Sequence, residues 1–224
     1  MSKTEEIKTN MRLVRWAIGL VAILVPLLPI VVWLQSVLPV YRSMWHGPML
    51  ILYMPARALG LVGFVMMIYQ FVLSSKFAII EKAFTRAGVY RRHRTLGMIG
   101  FLIILLHGTA MLAFDLIMAG EIVLGTPKTI GLIAMILLII AVFVAIFWKP
   151  LKLSNKQWMR IHRLTYVVLP LAFYHAIVMG TTINTSRWVM GLFWVLGAIY
   201  VIVVIRRIRQ EILKVRKKRR SRTA

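Results

Sequence analysis

The chain has 224 residues, with Lys+Arg 29 against Asp+Glu 6, a formal net charge of +23, yet 60% of its residues are hydrophobic. Soluble domains carry about 25% charged residues; here the share is 16%, and cations and apolar residues fall in separate blocks rather than around one core. That segregation excludes a basic soluble domain such as a nucleic-acid binder, and zero Cys excludes disulfides, thiolate metal sites, iron–sulfur clusters and thioether-attached haem.

A bilayer core of about 30 Å needs about 20 mostly apolar helical residues. The charge-free runs predict six spans, near 16–34, 49–73, 95–115, 129–148, 163–180 and 188–205, the second interrupted only by Arg57. The expected fold is an all-α integral membrane bundle: a flank 1–15, a six-span domain 16–205 and a polybasic tail 206–224. The first apolar segment starts after fifteen residues and has no clear A-x-A site, so an uncleaved span is expected rather than a signal peptide.

Loop charges set the orientation. Lys3, Lys8, Arg12 and Arg15 precede span one. Lys76, Lys82, Arg86, Arg91, Arg92 and Arg94 follow span two, and Lys149, Lys152, Lys156, Arg160 and Arg163 follow span four. The tail from Arg206 is also dense in cations, whereas the opposite side has Arg42, Lys128 and Arg187. Under the positive-inside rule both termini are cytoplasmic. Beside a membrane span, the tail is expected to touch anionic lipid rather than nucleic acid.

The five histidines carry the chemistry. His107 lies within span three and His175 within span five; His93 and His162 stand at the cytoplasmic entrances of the same spans, among arginines. Both spans run outward. The separations of fourteen and thirteen residues amount to about 21 and about 20 Å of helix. The inner pair is therefore level, and so is the outer pair, which gives two stacked bis-histidine stations. Zinc needs four ligands, or three and water, and no Cys, Asp or Glu lies at either depth in these spans. A haem supplies its own equatorial nitrogens and needs only two axial ligands. The reading is two haem b with His93, His107, His162 and His175 as axial iron ligands, against the alternative of interhelical hydrogen-bonding histidines. The azimuths of His93 and His107 agree. Those of His162 and His175 differ by about 140° on an ideal helix, and the expected remedies are a kink at Pro170 and a distorted helix start at His162.

The stretches RRHRTLGMIGFLIILLH and WMRIHRLTYVVLPLAFYH resemble the ferric reductase-like transmembrane domain, a superfamily that includes NADPH oxidases, ferric reductases and the haem-binding membrane subunit of periplasmic methionine sulfoxide reductase. The resemblance covers essentially all six spans. It implies that His93 and His162 hold an inner haem and His107 and His175 an outer one. The run ARALG is similar to a family segment whose arginine lies beside the haems, which maps onto Arg57. The chain ends 19 residues after Ile205, without room for the flavin and nicotinamide domain of the oxidases. Short length is similar to the methionine sulfoxide reductase subunit, whereas the four-histidine set is similar to the oxidase branch.

The resulting expectation is a b-type cytochrome of a bacterial inner or plasma membrane, the haem-binding subunit of an oxidoreductase. It would pass electrons from a cytoplasmic flavin reductase or quinol to an external acceptor: ferric ion, oxygen or a periplasmic oxidoreductase. FAD or FMN is expected on a separate partner protein. The rival classes are a transporter or channel, which would need broken helices or several intramembrane charges, and a non-catalytic assembly or anchor subunit. Arg57 is read as a haem-propionate partner or a stabiliser of charge near an outer acceptor, against snorkelling to the outer interface. Arg91, Arg92, Arg94, Arg160 and Arg163 are read mainly as topology determinants. His46 is read as an interfacial loop residue, and Asp115 and Glu121 as solvated outer acids.

Overall fold

The computed structural model describes residues 3–43 and 47–223, so His46 lies outside the described residues. The described residues form helices and loops and no strand. The elements are α1 (Lys3–Ser43), a π-helical turn Met49–Tyr53 leading into α2 (Met54–Ser74), α3 (Ala78–Phe84), α4 (Arg86–Ala119), α5 (Thr126–Phe147), α6 (Asn155–His162), α7 (Thr165–Met179), α8 (Thr181–Thr185) and α9 (Arg187–Thr223). Six segments are long and apolar enough to cross a membrane, as the charge-free runs predict: Asn10–Tyr41, Met49–Ser74, Arg86–Ala119, Thr126–Phe147, Asn155–Met179 and Arg187–Arg216.

Helix ends follow local chemistry. Thr85, in an unusual conformation at φ 57°, caps α4 by accepting from the Gly88 N–H at 3.2 Å, and Gly120 closes that helix at φ 75°. Positive φ suits glycine, which has no Cβ to clash. Pro127 stands in the first turn of α5, where its missing N–H costs nothing. Ser154 and Gln157 form a reciprocal capping box at the start of α6.

α2 is the central helix. In its most apolar window 44% of residues are buried, against 6% for α1. Leu61, Phe64, Val65, Ile68 and Phe71 of α2 meet Leu169 of α7, Ile183 of α8, and Val189, Phe193, Leu196 and Val203 of α9. Phe64 stacks on Phe193 at 4.7 Å, and Phe71 meets Tyr166 and Tyr200 edge-on at 5.1 and 5.0 Å. On its other side α2 packs most extensively against α4, while α5 packs against α7. The outward faces carry Leu20, Leu24, Val31, Leu102, Leu106, Ile136, Ile140, Val201 and Ile202, all exposed. Apolar surface on that scale suits acyl chains rather than water.

Two of the internal prolines, Pro26 and Pro170, are compensated by tyrosines on neighbouring helices. Pro26 deprives the Ala22 carbonyl of its helical partner, and the Tyr69 hydroxyl of α2 donates to that oxygen at 3.0 Å. Pro170 does the same to the Tyr166 carbonyl, and Tyr200 of α9 donates to it at 2.5 Å. In the π-helical turn the Leu50 carbonyl would pair with residue 55, a proline; the Tyr41 hydroxyl approaches it at 3.3 Å. The indole N–H of Trp33 donates to the Met54 carbonyl at 3.0 Å, fastening α1 to the start of α2.

Of the two expected remedies for the phase difference between His162 and His175, the irregular helix start at His162 is present: α6 ends at His162 and α7 restarts at Thr165 after a turn at Arg163–Leu164. α7 runs through Pro170 without interruption.

The proline compensation is testable. Tyr200→Phe leaves the Tyr166 carbonyl without a donor in a low-dielectric interior and should cost about 1 kcal/mol. Adding Pro170→Ala restores an N–H to that carbonyl and should recover most of the loss in a detergent unfolding assay. Equal losses in the single and double variants would refute the compensation.

Candidate functional site

Two pairs of histidines face each other across the helices. His93 of α4 and His162 at the end of α6 have ring centroids 6.4 Å apart, with planes at 81°. His107 of α4 and His175 of α7 are 6.3 Å apart, at 69°. All four rings are half-buried. The positions paired by helical rise are thus neighbours in space, inner with inner and outer with outer.

The outer rings are fixed by the backbone. His107 Nδ1 lies 2.8 Å from the Ala56 carbonyl of α2, and His175 Nδ1 lies 2.9 Å from the Pro127 carbonyl of α5. A carbonyl only accepts, so each Nδ1 carries the proton and each Nε2 presents a lone pair. Both acceptors precede a glycine by one helical turn. A Cβ on Gly60 would stand 2.9 Å from His107 Cε1, and one on Gly131 would stand 2.5 Å from His175 Nδ1. Each imidazole therefore lies in a slot that a side chain would fill.

The inner rings are held differently. His162 Nδ1 makes a long 3.5 Å contact with the Ala141 carbonyl, and Trp158 flanks the ring at 5.9 Å. His93 Nδ1 faces a side-chain amide, that of Gln70 on α2. Arg91, Arg92, Arg94, Arg160 and Arg163 surround this end and are exposed.

A cavity of about 250 Å³ opens between α2, α4, α5 and α7 at the outer station. Its wall is mostly apolar, with Leu61, Phe64, Leu132, Leu138 and Val168, and it includes His107, His175, Arg57, Lys128 and Asp115. Lys128 and Asp115 form an ion pair whose side chains are only 20% and 11% exposed. Asp115 is therefore not the solvated acid expected from its position, because helix α5 brings a lysine to meet it. Glu121 is exposed, as expected.

Arg57 reaches inward from α2. Its Nη2 donates to the Thr182 hydroxyl at 2.8 Å, its Nη1 lies 3.3 Å from Met54 Sδ, and Tyr53 sits beneath the guanidinium at 5.8 Å. Thr182 is buried, so the arginine tip is anchored inside the bundle rather than extended to the interface. Its Nε is buried without a partner, and among the described residues no ion pair includes it. A fixed, unneutralised cation on an apolar cavity wall attracts an anionic group.

The donor set restricts what the stations can bind. Among the described residues no cluster of three or more His, Cys, Asp or Glu could hold a metal ion. Each station offers two imidazoles. A metal–imidazole bond of about 2.0–2.1 Å, plus about 1.1 Å from nitrogen to ring centroid, puts the centroids of two rings sharing one axial metal about 6.3 Å apart. Both observed separations match that figure. The rings suit a metal whose remaining ligands come from its own macrocycle.

Sequence reasoning did not foresee Gln70, Thr182, the Lys128–Asp115 pair or the glycine slots. Intramembrane glycines at 60 and 131 were the available signal for the slots; the others needed knowledge of which helices touch.

The six apolar helices define an integral, multi-pass membrane protein. Residues 59–173, just over half of the chain, match the family described as ferric reductase like transmembrane component, and the chain belongs to that family. The matched segment contains His93, His107 and His162; Arg57 and His175 each lie two residues outside it. No curated protein and no solved structure matches the chain.

The glycine slots yield a prediction independent of any ligand. Gly131→Ala and Gly60→Ala should each destabilise the protein by about 1–3 kcal/mol, because the imidazoles must leave their carbonyls. Gly19→Ala, where nothing lies within 4 Å, should be neutral or stabilising. Thermal unfolding in detergent compares the three; equal midpoints would show that the rings move freely.

Proposed function

We propose that this protein is a six-span b-type cytochrome that carries electrons across a membrane. The observation that carries the reading is the matched separation of the two histidine pairs, 6.4 and 6.3 Å, each the distance of two imidazoles on one axial metal. Two haem b groups would supply one-electron chemistry, taking electrons from a cytoplasmic flavin reductase or quinol and delivering them to an external ferric ion, oxygen or periplasmic oxidoreductase.

The protein's own residues orient and tune. His107 and His175 present Nε2 because Ala56 and Pro127 hold Nδ1, which also raises the basicity of the ligating nitrogen. Helix α4 sets the stations about 20 Å apart through its rise. Apolar walls exclude water from the outer cavity, and Arg57 supplies the positive charge that meets a propionate or an anionic acceptor. The positive-inside rule places both termini and the His93–His162 station at the cytoplasmic side. FAD or FMN belongs to a separate partner protein in this reading, and the basic tail contacts anionic lipid.

The purified protein should contain two haems per chain, extractable by acid acetone because there is no Cys to tether them. His107→Ala or His175→Ala should lose the outer haem and keep the inner one, and His93→Ala or His162→Ala the reverse, read from pyridine haemochrome content. His46→Ala should leave the spectrum unchanged. Zero haem in a folded, inserted protein rejects the reading.

Arg57→Ala should lower the midpoint potential of the outer haem. Ferric haem carries one more positive charge than ferrous, so loss of a nearby cation favours the oxidised form. At an effective dielectric of about 20, a unit charge acting over about 8 Å is worth about 2 kcal/mol, which would shift a one-electron couple by tens of millivolts. Arg57→Lys should retain most of the charge effect. A redox titration in which both haems of Arg57→Ala match wild type removes Arg57 from the site.

A further inference from the structure

The end of the bundle that holds His93 carries a second cavity, of about 160 Å³, at the junction of α1, α3 and α4. Its walls are Arg15, Ala83, Phe84, Thr85 and Arg92. Two guanidinium groups therefore face one space, and among the described residues neither joins an ion pair. Glu81, the acid of α3, is taken by Arg86. Arg92 is held in place: its Nη1 donates to the Gly88 carbonyl at 3.3 Å, and its guanidinium lies over the Phe84 ring at 4.3 Å. Gly88 permits this, since a Cβ there would stand 3.1 Å from Nη1. The Thr85 hydroxyl accepts from the Gly88 N–H, which leaves its own proton to donate.

Depth and surroundings decide what such a cavity takes. Arg15 immediately precedes the charge-free run that opens at Trp16, and Arg92 stands three residues before the run that opens at Thr95. Both guanidiniums thus lie where the apolar core of a bilayer gives way to phosphates. α1 and α4 each pack on α2 and α3 but touch one another little. Beyond the cavity α1 exposes Trp16, Leu20 and Leu24, and α4 exposes Met98, Ile99 and Leu102. We propose that this cavity is a phospholipid site: Arg15 and Arg92 grip the phosphate of one anionic lipid, Thr85 donates to it, and the acyl chains run along α1 and α4. Guanidinium forks match phosphate oxygens in pairs. The lipid bridges α1 to the helix that carries both His93 and His107. The site is separate from the polybasic tail, whose attraction to a membrane needs no cavity, and it does not depend on the cytochrome reading.

The test measures lipid retention and thermal unfolding of the full-length protein in detergent, with dioleoylphosphatidylglycerol, dioleoylphosphatidylcholine and inorganic phosphate as probes. Native mass spectrometry should show one phosphatidylglycerol per chain held about tenfold more tightly than phosphatidylcholine. Of the three probes, phosphatidylglycerol alone should raise the unfolding midpoint. Arg15→Gln with Arg92→Gln should abolish that tightest binding and the rise. Arg12→Gln with Arg91→Gln removes the same charge from the same two helices outside the cavity, and should keep both. Equal retention of the two lipids by the wild type overturns the proposal without any variant. Equal losses in the two double variants overturn it too, because the effect is then one of general charge. A rise with inorganic phosphate as large as that with phosphatidylglycerol makes the cavity a site for the free ion and overturns the lipid assignment.

Discussion

A hydrogen bond from an imidazole Nδ1 to a backbone carbonyl, made twice, is the constraint on which the outer half of this molecule turns. It fixes the tautomer, aims Nε2 into the cavity, and requires a glycine one turn beyond each acceptor. The helix pairing follows from it. α4 must lie close enough to α2 for His107 to reach Ala56, and α7 close enough to α5 for His175 to reach Pro127; these are the two most extensive helix contacts in the bundle. A metal-bound histidine usually donates its other ring N–H to a carboxylate, a carbonyl or a water. In a membrane interior a carbonyl avoids burying a second charge.

Electrostatic economy runs through the rest of the outer cavity. Asp115 and Lys128 cancel one another, which leaves Arg57 as its uncompensated charge. A lone cation is expensive in a low-dielectric setting. Thr182, Met54 and Tyr53 supply partial compensation, and the unpartnered Nε is what remains unsatisfied.

The bundle was legible in the sequence because lipid imposes coarse rules. Each span must be long and apolar, and cations gather in loops, so the six segments can be read from composition alone. The pairing of histidines was legible for a related reason: helical rise converts sequence separation into depth, whichever helices are neighbours. What needed the structure was lateral information. Depth does not say that Gln70 lies over His93, that α8 offers Thr182 to Arg57, or that Asp115 meets Lys128. The extent of the turn between His162 and Thr165 also needed the structure, since no glycine or proline marks it in MRIHRLTYVV.

The two sides of the histidine rectangle differ in how they tolerate changes of length. His93 and His107 share one uninterrupted helix, α4, which acts as a rigid ruler. Inserting or deleting one residue between them rotates one ring by about 100° relative to the other and changes the spacing by about 1.5 Å. His162 and His175 are separated by a tightened turn at Arg163–Leu164, where a change of one residue can be absorbed by a different turn. Natural length variation in relatives with this architecture should therefore be confined to the joint on the α6–α7 side, with the fourteen-residue interval on α4 held constant.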